Sequence, residues 1–249
     1  MYMDEKQSVI QSANEREFPP FDLERLLGAV FEPTEGCRTC ILIDLEDLSQ
    51  MKDYKFLEDE SLTTQRKAHD VFYQGLKSGV AERLGLTGGE MFAYRITHGS
   101  NLDLPDLAVD ARGNEISLER DVYPNYDLIL CISTFSATAP LTAHAKKHGF
   151  RGSTMHGLND VILNTGLAVD YNEVSADAEK LRLAMTRADE IEIDFALEDG
   201  RVLTAKLILG AQEAQKSHGL CKGLEPDVAN LPAGEVYFEA ENPKGILGF

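Results

Sequence analysis

A carboxylate, two histidine settings and a cysteine pair are the side chains of this 249-residue sequence whose spacing could do chemistry. Glu235 lies in Asn230-Leu-Pro-Ala-Gly-Glu-Val-Tyr237, a Pro/Gly turn that leads into an apolar run, and a carboxylate held on such a turn can aim at a metal. His144 and His148 stand four apart, the spacing that puts two imidazoles on one helix face as metal-binding pairs require. No Glu follows His144, so the HExxH zinc pattern is absent. With Lys146 and Lys147 beside them, the pair reads first as cations at a helix C-terminus. His156, in Ser153-Thr-Met-His-Gly-Leu-Asn-Asp160, falls at the expected carboxyl end of a strand, where open α/β sheets place ligands. Its first reading is nonetheless a structural histidine.

Cys37-Arg-Thr-Cys40 has the CxxC spacing, but it precedes its expected strand and does not open a helix, and no second close pair completes a zinc site. It is expected to be a pair of buried or loop thiols. Asp44, Glu46, Asp47 and Asp53 after the first strand read as solvated loop carboxylates. No GxGxxG, GxxxxGK[ST] or GxSxG occurs, so phosphate cradles and a hydrolase nucleophile elbow have no support.

The elements that would position these residues follow from hydrophobic period. Leu23, Leu26, Leu27 and Val30 fit one helix face behind an Asp22 cap. Thr39 to Leu45 is apolar without alternation, as in a strand buried on both faces of a parallel sheet. A helix is expected over 61–84, a strand over 91–97, and a loop with a small hairpin over 98–124. Tyr126 to Ser133 predicts a second doubly buried strand, Pro140 to His148 a helix stopped by Gly149, Gly152 to His156 a strand and Asn159 to Leu167 a helix. This alternation predicts a doubly wound, mostly parallel α/β sheet. After a helix from about Asn172 to Thr186, the Asp199-Gly200 pair between two apolar runs predicts a hairpin. The expected organisation is an arm over 1–20, an α/β domain over 21–187 and an incomplete β-rich segment over 188–249.

Composition excludes several classes. A formal net charge of −18, from 24 basic and 42 acidic residues, provides no basic footprint for nucleic acid or an anionic membrane. No run approaches the roughly 18 apolar residues of a membrane span. Four cysteines in a chain of this length are too few for a disulfide framework. A cytoplasmic protein is expected.

Three segments carry a family resemblance: Gly166-Leu-Ala-Val-Asp-Tyr-Asn-Glu173, Ala188-Asp-Glu-Ile191 and the Asn230 to Val236 turn. Over about 150–245, and more weakly over 22–150, the chain resembles the N-terminal portion of the family M29 metallo-aminopeptidases of the thermophilic aminopeptidase T/S type. The resemblance implies release of N-terminal amino acids from peptides by two divalent metal ions (zinc, cobalt or manganese), with Glu235 as the first acidic metal ligand. It implies no catalytic role for His156, and it implies a homodimer. The family's remaining ligands lie downstream of the corresponding turn, so this chain is expected to bind metal poorly and to have weak or no peptidase activity alone. The local motif also departs: the family continues GEV-F-T-A-P, whereas here Gly-Glu-Val-Tyr-Phe-Glu-Ala240 follows, and Glu239 and Glu241 cannot simply replace distant histidines. Two other readings share the scaffold: a non-catalytic α/β binding or assembly module, and a ring-cleaving dioxygenase with a single iron.

Overall fold

A computed structural model describes residues 17–209 and 212–238. The apolar run Cys37–Leu45 forms strand β1, and it lies at the centre of a seven-stranded sheet. Strand β2 (Leu86–Arg95) pairs parallel with it on one side and β5 (Leu128–Ser133) parallel on the other. Beyond β2 come the short antiparallel strands β3 (Leu107–Asp110) and β4 (Glu115–Ser117), which are the hairpin expected within 98–124. Beyond β5 come β6 (Arg151–His156) and then β10 (Val228–Asn230), both parallel. The sheet is therefore mostly parallel, as the non-alternating runs predicted.

Both faces of β1 are buried. Ile41, Ile43 and Leu45 join one core with Phe31, Phe56, Phe72 and Tyr171, while Cys40 and Leu42 join a second with Tyr94, Leu141 and Phe150. Full burial of a phenylalanine or leucine side chain contributes about 1.5–3 kcal/mol, so these two layers supply the main driving force for the sheet. Gly88 marks a tight point on β2: at φ 84 a Cβ there would lie 2.6 Å from the Thr39 carbonyl oxygen, where the β1–β2 register shifts.

Helix α1 (Leu23–Phe31) presents Leu23, Leu26, Leu27 and Val30 inward, and Asp22 accepts from the Arg25 amide. The stretch expected as one helix over 61–84 is irregular. It runs through α2 (Thr63–Lys67), wide turns at Ala68–Tyr73 and Leu76–Val80, and α3 (Ala81–Arg83), with a break where Gly79 has φ 106. Two 3-10 turns within Leu48–Glu58, separated by a kink at Lys52, Asp53 and Tyr54, fill the preceding connection. Helix α4 (Thr138–His148) ends at Gly149 in the left-handed conformation, and α5 (Asp160–Asn164) and α6 (Tyr171–Thr186) follow.

The chain runs on past α6 and the expected boundary at 187/188. It leaves the sheet for a two-stranded antiparallel ribbon, β7 (Glu190–Ala196) with β8 (Val202–Ile208), closed by the predicted Asp199-Gly200 turn. It then returns to add β10 to the sheet edge, because Val228 to Asn230 pair with Gly152 to Thr154. A second small ribbon pairs β9 (Gln215–Ser217) with β11 (Glu235–Tyr237). The expected arm over 1–20 lies mostly outside the described residues, as do Glu239 and Glu241.

Within β7–β8 the register places Ile191, Ile193, Phe195, Leu203, Ala205 and Leu207 on one face. The other face carries Glu190, Glu192, Asp194, Thr204 and Lys206 together with Ala196 and the exposed Val202 and Ile208 at its ends, and Lys206 pairs with both Glu190 and Glu192. The apolar face is open: Phe195 is 40% exposed, Leu203 54% and Leu207 40%.

Candidate functional site

Strand β10 and the turn after it determine where Glu235 sits. The buried Leu231 donates its amide to the Thr154 carbonyl at the carboxyl end of β6, and the Leu231–Pro232 peptide is cis. Gly234 donates to the Ser217 carbonyl, which starts the β9–β11 pairing, and Glu235 follows opposite Ser217. Its side chain is exposed. Among the described residues no group of three ligand-type side chains forms around it, so these residues do not fit a two-metal centre. What the turn does is tie a carboxylate-bearing ribbon to the sheet edge.

The carboxyl edge of the sheet is the second place where function concentrates in open α/β folds, at the point where strand order changes direction. Here that point lies between β1 and β5. Asp44, read from sequence as a solvated carboxylate, is instead 1% exposed there. Both of its oxygens accept from the Thr134 amide at 2.9 Å, and Oδ1 also accepts from Thr134 Oγ1 at 3.1 Å and Gln65 Nε2 at 2.6 Å. Burial pushes its pKa up, against these hydrogen bonds, which pull it down. With its lone pairs committed, Asp44 works as a latch joining β1, the β5 loop and helix α2. Gln65 and Thr134 were invisible as its partners because they come from separate segments.

The other acidic residues of this edge face outward. Asp47 caps the 3-10 segment through the Ser49 amide, and Glu46 pairs with His98 at 3.5 Å. His156 ends β6 opposite Ser133 and is exposed. Asn159, just beyond it, caps α5 through the Ile162 amide.

All four cysteines are free and buried. Cys37 packs in one core layer and Cys40 in the opposite one, so the two thiols cannot share an ion or a bond across the sheet. Burial raises the pKa of both, and it pushes Cys131 up to about 12. These are inert thiols.

His144 and His148 do share a face of α4, and the structure brings Glu119 to them from the wide turn Leu118–Val122. Their potential ligand atoms all lie within 4.8 Å of one another. The ring of buried Tyr123 stands 4.6 Å from that of His144 and 5.5 Å from that of His148. Lys147 is a cation of the last helical turn, as expected, and also binds Glu119. Sequence spacing marked the two histidines, while Glu119 carried no signal because a long connection separates it from α4.

No family model and no solved structure matches the chain. Among curated proteins, a 19-residue stretch is 95% identical to part of an NADH-quinone oxidoreductase subunit from Opitutus terrae. The match spans 8% of this chain and 4% of that protein, too little to carry a fold or an activity.

Proposed function

We propose that the chain is the scaffold portion of a metal-dependent aminopeptidase-like protein, acting in the release of N-terminal amino acids from peptides. In this reading a further body docks on the apolar face of β7–β8 and supplies the ligands that Glu235 lacks. The observation that carries it is that open face. An isolated two-stranded ribbon is marginal in water, and six apolar side chains on one side of it call for a cover. The base of the ribbon is tied beside the other ribbon at the end of α6. Leu209 donates to the Asp189 carbonyl at 3.0 Å, and Ala214, next to β9, donates to Thr186 Oγ1 at 3.0 Å. A body covering β7–β8 would therefore lie near the strand pair that bears Glu235.

The test is hydrolysis of leucine 4-nitroanilide by the purified chain supplied with zinc, cobalt or manganese. The chain alone is expected to show none. Hydrolysis that disappears in Glu235→Ala would place a working centre inside these residues and overturn the division of labour. The same open face also suits a non-catalytic assembly module, a reading favoured if a companion binds β7–β8 and the complex hydrolyses nothing. Stoichiometric iron with cleavage of a dihydroxypyridine would instead select the dioxygenase reading.

A further inference from the structure

We infer that Glu119, His144 and His148 form a binding site for one divalent ion of the zinc class, separate from Glu235 and independent of the aminopeptidase reading. The donor set suits such an ion. Two imidazole nitrogens and one carboxylate oxygen are the ligand types zinc prefers, and cobalt(II) and nickel(II) share the preference. Three protein ligands leave a fourth position for water.

A second observation points to the same place. His148 Nε2 is buried and has no hydrogen-bond partner, and lies 3.9 Å from Glu119 Oε2, too far for a hydrogen bond. A buried polar atom left this way is costly, and a metal at 2.0–2.1 Å would satisfy it. His144 also makes no hydrogen bond among the described residues, so neither ring is committed elsewhere. Tyr123 packs at a tilt against both rings, and the two imidazoles stack on each other with centroids 6.1 Å apart. The Tyr123 hydroxyl is buried without a partner in the same corner.

The cluster is open by a modest amount. Ligands around a tetrahedral zinc sit about 3.3 Å apart, whereas these atoms spread over as much as 4.8 Å. The adjustment falls on Glu119, whose side chain is 43% exposed and would have to leave Lys147 to close on the ion. Lys147 is the competitor, since its ammonium occupies the carboxylate that the ion would use.

The experiment is zinc titration of the full chain, freed of any histidine tag, against a chromophoric chelator, with cobalt(II) absorption as a coordination readout. One equivalent is expected, with a dissociation constant of about 1 μM or tighter. His144→Gln, His148→Gln and Glu119→Gln should each weaken it by about 100-fold, and Glu235→Gln should not change it. Glu119 is half exposed, so its variant keeps the fold even if a histidine variant does not. Lys147→Ala should tighten binding by about fivefold, which a merely structural role for the cluster would not produce. Absence of zinc binding, or one equivalent retained with unchanged affinity in Glu119→Gln and the double histidine variant, overturns the assignment.

Discussion

Replacing Asp44 by alanine should destabilise the fold more than any surface substitution near the carboxyl edge, and the hydrogen-bond geometry bounds the size. Asp44 accepts from three donors in a site that is 1% exposed. Gln65 Nε2 also donates to the Asp44 carbonyl at 2.9 Å and to Thr134 Oγ1 at 3.0 Å, so it is not stranded, whereas the Thr134 hydroxyl, which accepts from Gln65, loses its acceptor but can turn toward another. The Thr134 amide has only the carboxylate. Orphaning that amide costs about 1–3 kcal/mol, and losing the charge-assisted bonds adds about 1 kcal/mol net, for about 2–4 kcal/mol in all. At about 2–4 °C per kcal/mol for a body of this size, Tm should fall by about 4–16 °C. Thermal unfolding followed by circular dichroism at pH 7, with urea unfolding as a check, reads this directly. Asp44→Asn keeps one acceptor oxygen and should cost about half as much. A change in Asp44→Ala below about 0.5 kcal/mol would mean that water replaces the carboxylate, and the latch argument would be wrong.

The Arg38 guanidinium grips Asp127 through two hydrogen bonds of 2.9 and 3.0 Å and holds its carboxyl below the usual range. A depressed folded pKa contributes stability above the unfolded value near 3.8 that is lost as pH falls through the folded value. Asp127→Asn should therefore flatten the acid limb of the stability curve below about pH 4 and leave the neutral plateau within about 1 kcal/mol, since the pair is half exposed. An unchanged acid limb would contradict the pairing. In the β7–β8 ribbon, Phe195→Lys with Leu203→Lys should lower dye binding to apolar surface while shifting body stability by less than about 1 kcal/mol, because both side chains are open to solvent. A large fall in Tm would show that the ribbon face is already packed.

How much of this was legible in the sequence depends on range. Leu128 to Ser133 announced a doubly buried strand because a local run without alternation suffices, and Asp199-Gly200 announced its turn because that signal is contained in two residues. Ala68 to Tyr73 kept a helical hydrophobic period, so its widened turns could not be read, since backbone winding of that kind responds to packing. Strand β10 is three residues long and exists only through its partners in β6, which is why no local signal announced its return to the sheet. The same rule governs the sites. The four-residue spacing of His144 and His148 was visible, whereas Glu119 beside them and Gln65 and Thr134 around Asp44 arrive by tertiary contact alone.

We propose that Glu235 serves a hydrolytic metal centre completed by another body on the β7–β8 face. Co-expression of the chain with the polypeptide encoded next to it, followed by a leucine 4-nitroanilide assay on the isolated complex, tests this most directly. Hydrolysis is expected that Glu235→Gln lowers by at least about 100-fold, and that Phe195→Lys with Leu203→Lys abolishes by releasing the companion. A complex that hydrolyses the anilide equally well with Glu235→Gln, or a bound complex with no hydrolysis at all, would contradict it.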